Sequence, residues 1–306
     1  MYRLSTLFCS LLLCSSVLWA ESPIPGIGPV GEIKQVQTDF QFTEGPAQAP
    51  DGTLYFTDIP ADRIYQLSPD GKISVFLEPA GHCNGLMVTA DGTLYACSMD
   101  GRLITIDRKT KKVTALSEEY EGNRYNAPND LVVDKEGGVY FTDPHFRAPM
   151  PLPQKTTAFY YRSSEGKVTR LADDLKAPNG VILSPDEKTL YVIPSMQEEM
   201  WAYSVISPGK LGPGKVFCKL KQAEGKSGGG GDGLTLDTKG NLYITSGLGL
   251  QVFSPDGKHL GTIEFPEQPA NVTFGGSEGK TLFVTARKSL YSVEMEATGH
   301  QFPGKQ

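Results

Sequence analysis

One short pattern, a polar turn running into a strand with a single aromatic residue, returns six times along the chain and restricts the fold more than any other feature. APDGTLYFTD (49–58) is followed by TADGTLYACS (89–98), DKEGGVYFTD (134–143), SPDEKTLYVIPS (184–195), DTKGNLYITS (237–246) and GSEGKTLFVTA (276–286). The aromatics Tyr55, Tyr95, Tyr140, Tyr191, Tyr243 and Phe283 recur at intervals of about 40–50 residues, the spacing of propeller blades. In each copy turn residues precede alternating apolar positions, which predicts a hairpin entering a half-buried strand. A second hairpin follows most copies, as in RIYQLSPDGKISVFLEP (63–79) and AFYYRSSEGKVTRLAD (158–173). The unit is therefore four short antiparallel strands. Six such units predict an all-β, six-bladed β-propeller.

The two ends of the pattern predict how the ring closes. After Phe283 only SLYSVEM (289–295) reads as a further strand, so the last blade lacks its fourth. GEIKQVQT (31–38) precedes the first copy and is spare; it is expected to complete the last blade. No composition shift divides residues 21–306, which read as a single domain. Thirty-four Gly and 22 Pro agree with many turns and few long helices.

Residues 1–20 stand apart. Arg3, then LFCSLLLCSSVLWA, read as an export signal cleaved after Ala20, which predicts a periplasmic or secreted protein without stable membrane insertion. The net charge of −6 contains no basic stripe, so nucleic acid is excluded as a partner. Beyond the signal remain Cys83, Cys97 and Cys218, an odd number with no CxxC pair. They are expected to act as buried small apolar residues, with a Cys83–Cys97 disulfide left open. SGGGGDG (227–233) reads either as a flexible loop or as backbone that approaches a ligand closely. Oligomeric state is not readable.

In NAPNDLVVDK, two polar residues, Asn129 and Asp130, stand before an apolar strand, where polar groups are costly unless something there needs them. Eleven or twelve residues ahead of the repeat aromatics lie Glu44, Asn84, Asn129, Asn179, Asp232 and Asn271. In a propeller this place is the start of the innermost strand, so the symmetry points these oxygens at the central channel. Asn and Asp also initiate strands by bonding nearby backbone amides. A Glu has no such use, and six matched positions favour a shared ion. A hard-oxygen set without His or Cys suits Ca²⁺, Mg²⁺ or Mn²⁺ better than Zn²⁺.

These residues also carry a family resemblance. FTEGPAQAPDGTLYFTD, RYNAPNDLVVDKEGGVYFTDPHF, KAPNGVILSPDEKTLYV, GGGGDGLTLDTKGNLYIT and PANVTFGGSEGKTLFVTA together resemble the SMP-30/gluconolactonase/luciferin-regenerating family. The resemblance implies one divalent cation in the channel, Ca²⁺ first, with Zn²⁺, Mn²⁺ or Mg²⁺ as alternatives. The implied ligands are Glu44, Asn129, Asn179 and Asp232, with Asn129 also near substrate. It further implies a metal-dependent lactonase acting on a small lactone, with Asp232 as the general base and Arg124 and Asn126 as substrate-binding residues. Asn84 and Asn271 are not carried over as ligands. Asp58 and Asp143 read as turn acids that stabilise the blades, and His82 and His145 as loop residues. The alternatives are hydrolysis of other esters or phosphotriesters, as in paraoxonase-like and diisopropylfluorophosphatase-like propellers, and a non-enzymatic interaction propeller. No GxSxG elbow and no nucleotide-binding glycine motif is present.

Overall fold

The computed structural model describes residues 24–301. The export signal predicted at residues 1–20 lies outside them. Six four-stranded antiparallel sheets are arranged as the blades of a propeller. The innermost strands of the first two blades are Thr43–Gln48 and Cys83–Val88. Leu131–Val133, Pro178–Leu183, Leu234–Leu236 and Pro269–Gly275 follow in the other four. The predicted closure is present: Lys34–Gln37 pairs with Ser289–Glu294 as the outermost strand of the sixth blade. No helix among the described residues is long and apolar enough to cross a membrane.

The repeat aromatics fall on the second strand of every blade, which is largely buried. Leu54–Asp58, Val139–Asp143 and Leu242–Ser246 are buried at every residue. A sheet packed on both faces must carry apolar groups on both, which is why these strands read as near-continuous apolar runs. The core lies between the blades. One cluster joins Leu103 of the second blade to Phe141 of the third and Val192 of the fourth. Outer strands such as Val113–Ser117 stay largely exposed. Cys83, Cys97 and Cys218 are buried and free, so the 83–97 disulfide left open by the sequence is not formed.

Around the channel the inner strands touch through their backbones. The Gly85 N–H donates to the Asn129 carbonyl (2.7 Å), Gly180 to Asp232 (3.0 Å) and Gly233 to Ala270 (2.8 Å). Blades meet this closely only where no side chain intervenes. A Cβ at Gly180 would stand 2.5 Å from the Asp232 carbonyl oxygen. Gly180→Ala is therefore expected to cost about 1–3 kcal/mol through overpacking, read as a lowered midpoint in a thermal melt. An unchanged midpoint would mean that the inner ring can yield.

Candidate active site

Strand register shows which residues share a level in the channel. In the third blade Asn129 donates its N–H to the Thr142 carbonyl (2.9 Å), while the Thr142 N–H returns to Asp130 (3.0 Å). Two residues opposing one make a β-bulge, which re-aims the side chain next to it. Asp232 and Gly233 repeat this opposite Thr245. Matching bulges lie between Glu44 and Ala47, Cys83 and Leu86, and Pro178 and Val181. Glu44, Asn84, Asn129, Asn179 and Asp232 thus stand at one level, and all are buried.

The sixth blade departs from the sequence reading. Val272 pairs with Val284 and Phe274 with Leu282. That register puts Ala270, not Asn271, at the level of the other five. The Ala270 carbonyl accepts from Gly233 and from Thr245 Oγ1 (2.8 Å). The Asn179 carbonyl accepts in the same way from Thr142 Oγ1 (2.6 Å). Asn271 sits one residue further down, where four blades carry Gly45, Gly85, Gly180 and Gly233. Asp130 holds the same place in the third blade, which stands opposite in a six-fold ring. The two share a local form: Asp130 Oδ1 accepts from the Leu131 N–H (2.9 Å) and Asn271 Oδ1 from the Val272 N–H (2.8 Å).

Three carboxyl groups are therefore concentrated in the channel. Burial, then the charge of Asp232, pushes Glu44 well above the usual carboxylate range, against a hydrogen bond from the Gly45 N–H. Burial raises Asp130 to about 7, with the Leu131 N–H opposing and Asp232 adding to the rise. Burial likewise raises Asp232 to about 7, eased by the Asn179 side chain and by the distant charge of Arg287. The Asn271 amide eases both Glu44 and Asp130. Among the described residues no three His, Cys, Asp or Glu side chains assemble as a metal cluster by themselves. Any ion would have to be shared between acids and amides.

Asn179 and Asp232 are in direct contact. Asn179 Nδ2 donates to Asp232 Oδ1 (2.6 Å) and to Ser195 Oγ (2.9 Å). Below this level the channel widens into a cavity of about 940 Å³. Its lining stops at Gly45, Asp130 and Asn271, one residue past the ring. The ring itself faces the opposite end, where the blade-to-blade connections gather. There Phe42, Ile59, Met99, Ala127, Phe146 and Ala148 form an apolar cluster, which meets the ring where Met99 Sδ lies 3.9 Å from Asn84 Nδ2.

The substrate residues expected from the sequence divide. Arg124 is exposed on the short hairpin Glu119–Tyr120 and Asn123–Arg124, on the ring's side of the propeller. Its guanidinium lies over Gly101, where a Cβ would come within 2.5 Å of Arg124 Nε. Asn126 is fully buried, and its amide is occupied within the protein. Nδ2 donates to the Thr156 carbonyl (2.8 Å) and Oδ1 accepts from the Gln154 N–H (3.1 Å). Its surroundings make it a clamp between two loops rather than a group facing substrate. Gln154, which the sequence did not single out, completes the clamp. Its Nε2 donates to the carbonyls of Tyr120 (3.1 Å) and Asn123 (2.6 Å), pinning the hairpin that carries Arg124.

Asp58 and Asp143 act as the sequence reading expected. Each receives two successive backbone N–H groups from the chain entering its inner strand, Gln41 and Phe42 or Asn126 and Ala127. His82 bonds Asp100 (3.1 Å), and His145 packs on Phe146. The glycines of SGGGGDG are packed against protein at their inner end. Gly230 and Gly231 donate to the Ser195 and Pro194 carbonyls, packed where a side chain would strike the fourth blade.

The family model for the SMP-30/Gluconolactonase/LRE-like region matches residues 42–288. The chain belongs to this family. It is 32% identical over 292 residues to a gluconolactonase of Zymomonas mobilis, with 87% of this chain and 82% of that protein covered. A solved Xanthomonas campestris gluconolactonase superposes with a TM-score of 0.79 at 30% identity, covering 86% of this chain and 89% of that one. Regucalcin from Agrobacterium tumefaciens, described as a calcium-binding protein, shares the fold at 23% identity with a TM-score of 0.76. The latter match covers 89% of this chain and 96% of that one.

Proposed function

We propose that this family member hydrolyses sugar lactones of the gluconolactone type, with one divalent cation held in the channel by Glu44, Asn129, Asn179 and Asp232. The observation that carries the reading is the level of buried acids and amides, one from each of five blades, in a chain so similar to a gluconolactonase. Its donors fit a hard cation: all are oxygens, and buried carboxyl groups stand together, of which only Asp232 feels a cationic side chain, the distant Arg287. Asn84 Oδ1, at the same level, is buried without a hydrogen-bond partner. Ca²⁺ is the first choice. When bound, such a cation supplies Lewis acidity toward the lactone carbonyl and positive charge for the developing oxyanion.

The protein groups then act as follows. Asn179 fixes Asp232 through Oδ1, which leaves the other carboxylate oxygen to take a proton from water. The water oxygen bonds to the carbonyl carbon, the ring C–O bond breaks, and the ring oxygen takes the proton back from Asp232 to leave as an alcohol. The product is the open-chain hydroxy acid. Arg124 stands ready to bond a sugar hydroxyl or the product carboxylate. The export signal read at residues 1–20 would place this activity in the periplasm or outside the cell.

A pH-stat assay of glucono-1,5-lactone opening, corrected for spontaneous hydrolysis, tests the reading. Activity is expected to vanish with chelator and to return with Ca²⁺, Mg²⁺ or Mn²⁺. Activity unchanged by chelation would refute the metal-dependent mechanism. Arg124→Ala is expected to raise KM about tenfold with kcat nearly unchanged, the loss of one charged hydrogen bond. Unaltered kinetics would remove Arg124 from substrate binding.

A further inference from the structure

Among the described residues, Asn84 Oδ1 is the one buried side-chain oxygen without a hydrogen-bond partner. Leaving such an acceptor unpaired is destabilising, so a native fold keeps one only where something else uses it. The rest of the residue is engaged. Its carbonyl accepts from Thr57 Oγ1 (3.1 Å), and its Nδ2 rests 3.9 Å from Met99 Sδ, a weak acceptor. Exchanging the amide oxygen and nitrogen would set the oxygen against sulfur and leave the nitrogen's two N–H groups unsatisfied instead. The unpaired end is therefore a property of the place, not of the orientation chosen.

The place is the second blade's position in the channel ring, level with Glu44, Asn129, Asn179 and Asp232. We infer that Asn84 gives its carboxamide oxygen to the channel cation as a fifth protein ligand. The inference rests on the proposed metal site and extends it. A neutral fifth oxygen raises the ligand number without adding charge. That favours Ca²⁺, which takes 6–8 oxygens, over Mg²⁺, which keeps several of its own waters.

Calcium binding to the chelator-stripped protein, followed by isothermal titration calorimetry, tests this apart from catalysis. Asn84→Ala is expected to weaken Ca²⁺ binding at least tenfold and to weaken Mg²⁺ binding less. Asn84→Asp, which keeps an oxygen there and adds charge, is expected to bind Ca²⁺ at least as tightly as the native chain. Native affinity in Asn84→Ala would overturn the inference while leaving the four-ligand site intact. If Asn84→Ala does not fold, a loss of Ca²⁺ binding in Asn84→Asp would overturn it. Loss of binding in Asp232→Asn is the control for the site itself. If the native chain binds no Ca²⁺, the metal site and the inference fail together.

Discussion

Asp232→Asn is expected to lower kcat by about 10²–10⁴-fold, the range a positioned base contributes, in a protein that remains folded. The side chains are nearly the same shape, and the Asn179 hydrogen bond can persist to the new amide oxygen. Burial already pushes Asp232 up to about 7, so the fold accommodates a neutral group there. What the substitution removes is the capacity to take a proton, together with a charge that helps hold the ion, and saturating Ca²⁺ offsets the second loss. The measurement is kcat at saturating lactone and saturating Ca²⁺, with spontaneous opening subtracted and a thermal melt as the folding control. Full turnover in that variant would take the base role from Asp232. Turnover lost at low Ca²⁺ and recovered in full at saturation would assign Asp232 to ion binding alone.

The second large effect is on stability, and its sign follows from the raised carboxyl groups. A carboxyl whose folded value lies above its unfolded value of about 4 stabilises the fold while protonated. That contribution is complete below the unfolded value and is lost as pH rises through the folded one. For Asp130 and Asp232 the window runs from about 4 to about 7, and the raised Glu44 acts in the same direction. In chelator the thermal midpoint is therefore expected to fall by roughly 5–10 °C between pH 5 and pH 8. Ca²⁺ should restore it at pH 8 and do little at pH 5, because an ion competes with the protons that hold the carboxyls neutral. Equal stabilisation at both pH values would contradict a carboxylate-bound ion.

Much of the architecture was legible because a propeller writes its period into the chain. The aromatic of each second strand, the Asp-Gly turns and the spare strand at 31–38 located the blades and the closure. Glu44, Asn129 and Asp232 were legible because each stands eleven residues ahead of its aromatic, and Asn179 because its turn adds one more. The twelve-residue count that finds Asn179 misplaces Asn271, since the sixth blade's inner hairpin carries one residue more than the fourth's, and only strand pairing reveals it. Asp130 stands out in the sequence beside Asn129 but is not assigned to the channel, although a further signal exists. Four ring residues are followed by Gly, and the third blade breaks that pattern with an acid. Asn126 shows a different gap. Its neighbours in sequence, Arg124 and Asn129, are the residues expected at substrate, while the groups that claim its amide, Thr156 and Gln154, come from a loop far along the chain.

The most direct test is a crystal grown with Ca²⁺ or Mn²⁺ and examined by anomalous diffraction. One ion peak on the channel axis, bonded to Glu44, Asn129, Asn179 and Asp232, is the expected result. A channel without a peak while ions occupy other places would contradict the metal centre and, with it, the lactonase mechanism.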